Sequence, residues 1–195
     1  MDDWPSQTRT PLEAIERIAQ SADRVLAIQF FLFFSRFEYA LKRLPKISVK
    51  DSGVQPDWDG YAKERYTAKG ESADRWEKIQ RRADFLEAAH YLINEPPKKQ
   101  VVKDGVLRWK ERTKQELKFS MPELLVLVRA VRNNLVHGGK FKDGPIEEAS
   151  RDEKLLRHSL TILSACLEED DDLRRWFMNL NPAVEGANLS ERAYF

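Results

Sequence analysis

The sequence of 195 residues predicts an all-α protein, a four- to five-helix bundle with a small β-hairpin insertion. Two observations lead there. Apolar residues recur at three- and four-residue steps through four long stretches, the period of a helix with one face in a core. Only one short region, around Asp104-Gly105, has two β-prone runs joined by a two-residue turn signal. With 42% hydrophobic and 33% charged residues, no internal repeat and no low-complexity segment, the chain reads as one domain, 1–195.

The first helix is expected from Leu12 to Leu44, with Thr10-Pro11 as its start and Pro45 as its stop. Ile15, Ile18, Ala22, Val25, Phe33, Phe37, Leu41 and Leu44 keep the helical period, and the middle of this stretch is apolar nearly all round. Its run "VLAIQFFLFF" covers ten residues, about half of a membrane span, and reads as a buried helix. Residues 46–70, rich in Gly, Pro and Asp, read as a loop insertion with at most one short helix. A second helix is expected over Ser72–Asn94, packing Trp76, Ile79, Phe85, Leu86, Ala89 and Ile93, and ended by Pro96-Pro97. The hairpin insertion occupies 96–112. Leu124–His137 is the third main helix and Glu147–Leu167 the fourth. The acidic run Glu168–Asp172 opens a short fifth, as suits a helix N-terminus. Residues 181–195 form a C-terminal tail.

Lys and Arg number 33 against 32 Asp and Glu, a net charge of +1, so nucleic acid would have to be met by a local basic patch. The single cysteine, Cys166, lies in the apolar run "LTILSACL" and reads as a small core residue of a reducing compartment. The acidic start "MDDWPSQTRT" lacks the apolar segment of a secretion signal. A cytoplasmic protein without a membrane segment is the expectation, and the sequon at Asn188 then carries no meaning.

The chemistry is concentrated in "LLVLVRAVRNNLVHGGKF", Leu124–Phe141. On a wheel of about 100° per residue, Leu124, Val128, Val131 and Leu135 form the core seam, with Arg132 at its edge. Val126, Ala130, Asn133 and His137 form a second stripe roughly opposite. Two small apolar residues where solvent-facing charge would be usual predict a second covering surface, another helix or a second copy of the chain. Gly138-Gly139 supplies a helix stop, which leaves His137 in the last turn. There it either caps a backbone carbonyl or serves as a proton carrier near neutral pH. Arg132 stays charged, and its planar fork suits a phosphate or a developing oxyanion. Together they supply two parts needed to cleave an RNA phosphodiester, with the neighbouring 2′-hydroxyl as nucleophile and no metal.

The six residues Arg132-Asn133-x3-His137, at the end of a bundle helix that follows a long amphipathic first helix, resemble the HEPN superfamily. The resemblance implies an all-α fold and a metal-independent endoribonuclease leaving 2′,3′-cyclic phosphate ends. It also implies a homodimer in which two copies of the motif form one cleft. Arg132 and His137 match the catalytic positions, and Asn133 the polar position after the arginine. Toxin–antitoxin pairs and anti-phage defence are the settings it implies, with an antitoxin protein as a further partner. The 46–70 and 96–112 insertions match nothing in the family. The rival expectations are a catalytically silent HEPN-type module that binds RNA, a nucleotide or a protein, and a structural scaffold.

Arg36 and Glu38 lie in the aromatic stretch "FSRFEYALKRL", where a charge needs a partner or a site. Either they support the cleft, Glu38 orienting His137 or Arg132, or they form plain ion pairs and snorkel. Lys140 and Lys142, just past the glycines, either bind flanking RNA phosphates or belong to a solvated loop. Lys98, Lys99, Lys103, Arg108, Lys110 and Arg112 make the hairpin locally basic. Trp109 is there for base stacking, or the whole is a lysine-guarded edge with a packed tryptophan. No Cys/His/carboxylate spacing points to a metal site, and no glycine-rich phosphate loop or serine nucleophile motif points to a cofactor.

Overall fold

The computed structural model describes residues 24–44, 55–67, 70–136 and 147–178. Among them are seven α-helices and one two-stranded antiparallel sheet. The helices are α1 (Arg24–Arg43), α2 (Trp58–Arg65), α3 (Glu71–Gln80), α4 (Ala83–Asn94), α5 (Met121–Val136), α6 (Glu147–Glu169) and α7 (Asp171–Met178). The strands β1 (Lys99–Lys103) and β2 (Val106–Lys110) stand between α4 and α5, followed by a single 3₁₀ turn at Lys114–Glu116. The all-α class with a small hairpin is what the sequence predicts. The start of the first helix, 12–23, and the 181–195 tail lie outside the described residues.

α6 packs along α4 and α1, α7 lies across α1, and α5 touches α1, α2, α4 and α6. α5 therefore buries more than the narrow seam expected of it. Met121, Leu124, Leu125, Leu127, Val128 and Val131 all enter the core, while Leu135 is half-buried. α1 contributes Leu26, Phe30, Phe34, Phe37, Ala40 and Leu41 from one side. Its opposite side leaves Val25, Ile28, Phe31 and Leu32 between 47% and 65% exposed. The expectation that the middle of the first helix is enclosed on several sides is thus met on one.

Within 46–70 the chain forms α2, whose Trp58, Tyr61 and Ala62 are buried. Asp57 caps it, its Oδ1 accepting from the Gly60 amide at 2.8 Å. A Cβ on residue 60 would stand 2.4 Å from Asp57 Oδ2, so the capping carboxylate requires glycine there. Trp58 stacks between Phe34 at 5.1 Å and Phe37 at 5.3 Å, and this ties α2 to α1.

The stretch expected as one helix over Ser72–Asn94 is two. Arg82 takes extended angles, φ −83° and ψ 121°, and the Asp84 carboxylate then accepts from the Phe85 amide at 2.9 Å at the start of α4. Arg82 bridges Asp84 and Glu168, which holds Asp84 below the usual carboxylate range through their hydrogen bond. The break lets Trp76 and Phe85 meet edge to face at 6.1 Å. At the other junction, buried Asp170 ends α6 and caps α7 through its Oδ1 and the Leu173 amide at 3.2 Å. Its Oδ2 faces the Arg65 guanidinium at 3.6 Å.

The hairpin turns on Asp104 and Gly105, both at positive φ (54° and 74°), as a two-residue primed turn demands. Its register pairs Lys99 with Lys110, Val101 with Arg108 and Lys103 with Val106 on one face, and Gln100 with Trp109 on the other.

Cys166 lies in the core, its thiol 3.8 Å from Met121 Sδ and beside the Tyr61–Tyr66 hydroxyl pair. Burial pushes the thiol from 9.0 up to about 12, and raises both tyrosines well above 10.0. These groups keep protons in the folded state that the unfolded chain releases near their ordinary values. Their contribution is complete at neutral pH and is lost as pH climbs from about 9 toward 12. The urea midpoint should therefore fall across that window, and Cys166→Ala should flatten part of the fall. In native protein at pH 8 iodoacetamide should leave Cys166 unmodified, with reaction only in denaturant.

Candidate functional site

α5 ends its described length at Val136, and Arg132 sits just before the last described turn. Opposite it, Phe34 and Glu38 of α1 are four residues apart and so stand one above the other on the same helix face. The Arg132 guanidinium lies over the Phe34 ring, 5.2 Å from its centroid. Its NH2 reaches Glu38 Oε2 at 3.5 Å, and its NH1 donates to Asn133 Oδ1 at 3.0 Å. The side chains of Arg132 and Glu38 are 30% and 22% exposed, so the pair is solvated at its outer edge. A ring below, a carboxylate to one side and an amide to the other fix the plane of the fork. N–H donors remain open toward solvent among the described contacts.

The structure thus brings Arg132, Asn133 and Glu38 together. Arg36 is not among them. Two residues before Glu38 on a helix, it points to the other flank. There it donates to the carbonyls of Phe177 at 2.6 Å and Trp176 at 3.2 Å, and stacks on Tyr39. A cation against the last carbonyls of α7 is a helix-end cap and leaves no role at the Arg132 cluster. His137, Lys140 and Lys142 lie outside the described residues.

The second stripe of α5 is only partly covered. Val126 and Ala130 are half-buried and Asn133 is exposed. One flank of this open face is the Arg132–Glu38 pair. On the other, Asn134 Nδ2 donates to the Lys98 carbonyl at 2.9 Å and ties the base of the hairpin to the end of α5. Arg112 Nε to the Pro97 carbonyl at 3.2 Å and Arg151 to the Pro96 carbonyl at 2.8 Å complete that anchorage. Sequence reasoning missed Phe34 as the shelf under Arg132 and Asn134 as the hairpin anchor. For Phe34 a signal was present: its spacing of four from Glu38.

An open groove of 650 Å³ lies between α1, α6 and α7, lined by Gln29, Leu32, Phe33, Leu160, Thr161, Ser164 and Phe177. It sits on the Arg36 flank of α1, away from Arg132. No group of three or more His, Cys, Asp or Glu side chains converges as a metal site among the described residues, and no described helix is long and apolar enough to cross a membrane. No protein-family profile, curated protein or solved structure matches the chain.

Removing either partner of the Arg132–Glu38 pair should alter stability modestly. A double-mutant cycle of Arg132→Ala and Glu38→Gln, read by urea unfolding, should give a coupling of roughly 0.3–1 kcal/mol, the range of partly exposed ion pairs. Zero coupling would mean that the carboxylate does not hold the arginine.

Proposed function

We propose that the chain is a HEPN-type, metal-independent endoribonuclease that cuts single-stranded RNA. The observation that carries the reading is the fork of Arg132, held by Phe34, Glu38 and Asn133 near the end of the described length of α5. His137 follows it by five residues in sequence. A guanidinium with a fixed plane, and with donors left over among the described contacts, is preorganised for the equatorial oxygens of a phosphate in displacement. Held by Asn133, it needs no rearrangement when charge develops there.

In the proposed reaction the RNA 2′-oxygen attacks the adjacent phosphorus. The new P–O2′ bond forms as the P–O5′ bond breaks, giving a 2′,3′-cyclic phosphate and a 5′-hydroxyl. The proton of the 2′-hydroxyl leaves to a base, and the departing 5′-oxygen takes a proton from an acid. His137 is the group able to serve in either capacity near neutral pH. Arg132 offsets the charge on the non-bridging oxygens, while Asn133 and Glu38 keep it in place. Lys140 and Lys142 follow in sequence as contacts for flanking phosphates.

A homodimer joining two copies of the motif supplies two imidazoles, one for each proton transfer. The exposed apolar strip of Val25, Ile28, Phe31 and Leu32 supports such pairing, because contiguous apolar surface of this kind favours association. Phe31 stands two turns before Glu38 on the same face of α1, so a pair formed there borders the Arg132 cluster. A cytoplasmic toxin or anti-phage effector, with an antitoxin as its other partner, is the setting we infer for such an enzyme.

Wild-type protein should cleave a mixed-sequence single-stranded RNA in EDTA. His137→Ala and Arg132→Ala should each lose about 10²-fold or more of that activity while remaining folded. Cutting that survives both substitutions would place the site elsewhere. A folded, dimeric wild type that binds RNA without cutting it would favour the silent binding module.

A further inference from the structure

The hairpin concentrates charge that the chain as a whole does not have. Residues 98–112 hold six basic side chains (Lys98, Lys99, Lys103, Arg108, Lys110, Arg112) and two acidic ones (Asp104, Glu111), a net of +4 in a chain of net +1. The remainder of the molecule is therefore −3. The register sorts these charges. Lys99, Lys110, Arg108 and Lys103 all stand on one face of the ribbon, and all four are exposed. None forms an ion pair among the described residues. The acid nearest in sequence to β2, Glu111, is taken by Lys98 at 3.4 Å. Trp109, paired across from Gln100, is on the other face.

A lysine-guarded edge does not account for this pattern. Edge protection needs only scattered charges of either sign, whereas here four cations share one face. Nor does the core explain the ribbon. Val102 and Val106, next to the turn, are 71% and 54% exposed. Hydrogen bonds to the carbonyls of Pro96, Pro97 and Lys98 anchor its base. A lone two-stranded ribbon is marginal in water, and one carrying four unpaired cations is further destabilised by their repulsion. A polyanion laid along that face would relieve it.

We infer that the β1–β2 hairpin is a phosphate-binding arm for single-stranded RNA. On β2 Arg108 and Lys110 stand two residues apart, about 7 Å, and on β1 Lys99 and Lys103 stand four apart, about 13 Å. These spacings suit one and two phosphate steps of an extended backbone. Asn134 fixes the base of the arm to the end of α5, on the opposite flank from Arg132. The base of the arm thus stands across α5 from the arginine fork, about one helix diameter away. Contacts to phosphates alone make the arm indifferent to base sequence. The inference rests on the RNA-cleaving reading for the identity of the polyanion.

The test is fluorescence anisotropy of a labelled mixed-sequence RNA, in EDTA, on full-length protein carrying His137→Ala. It is compared with the same protein carrying Lys99→Gln, Lys103→Gln, Arg108→Gln and Lys110→Gln. Kd should rise at least about tenfold, and the slope of log affinity against log salt should shrink by about 3, the loss of four phosphate contacts on a single strand. Thermal melting should be unchanged or slightly raised, since the four side chains form no ion pair among the described residues. On an otherwise wild-type background the four substitutions should raise KM and leave kcat at saturating RNA nearly intact. Equal affinity and equal salt slope in the two proteins would overturn the arm, whatever the cleavage result. So would equally tight, hairpin-dependent binding of polyglutamate, which would make the partner an acidic protein. Hairpin-dependent RNA binding by a wild type that never cuts would uphold the arm and remove the nuclease reading. Phosphate contacts do not read the 2′-hydroxyl. Single-stranded DNA of the same sequence should therefore lose affinity on the same four substitutions by a similar factor, and a loss confined to RNA would overturn contacts to phosphates alone.

Discussion

The stack of Trp58 on Phe34 and Phe37 is the constraint from which the site follows. α2 has only eight residues and could not hold its place by helix propensity. Its tryptophan, inserted against two rings of α1, fixes it. The chain of rings continues through Tyr61 and Tyr66 to Trp76 and Phe85, and so crosses from α1 to α4. Phe34 has Trp58 as one neighbour and the Arg132 guanidinium as another. The arginine is therefore supported from the core, which is how a polar site gains a fixed geometry without buried charge.

Guanidinium groups also close the ends of the fold. Arg36 binds the last carbonyls of α7, Arg75 the Glu169 carbonyl at the end of α6, and Arg112 and Arg151 the two prolines before the hairpin. Arg65 meets buried Asp170 at the α6–α7 junction. These contacts satisfy carbonyls that helix ends and proline turns leave open. They use part of the large charged fraction of the sequence. The four cations of the hairpin face stand apart from this pattern, since they meet neither a carbonyl nor a carboxylate among the described residues.

The helical class, the Asp104-Gly105 turn and the core seam of α5 were all legible because each depends on local period or local turn chemistry. The break at Arg81–Arg82 was not, since no glycine or proline marks it. It arises from packing of Trp76 against Phe85 and from the Arg82–Asp84–Glu168 bridge, which joins residues distant in sequence. α2 is the one short helix allowed within 46–70, but its place and its packing on α1 depend on residues distant in sequence and could not be read. At the site, the Arg132-Asn133 dipeptide was visible as a motif. Whether Glu38 or Arg36 belonged beside it could not be read, because that depends on the rotation of α1 within the bundle. Rotation is set by Phe30, Phe34 and Phe37 entering the core, which turns Glu38 to α5 and Arg36 to α7.

In the proposed reaction the chain supplies a held cation and a proton carrier, while the RNA supplies its own nucleophile. The most direct measurement uses an RNA cut at one mapped position and the same RNA with a 2′-deoxy sugar at the nucleotide 5′ to that bond, in EDTA. The proposed reaction requires cleavage of the first, with 2′,3′-cyclic phosphate and 5′-hydroxyl ends, and an intact bond in the second. Cleavage of the deoxy-substituted bond at an equal rate would contradict it, because the attacking oxygen would then have to come from elsewhere.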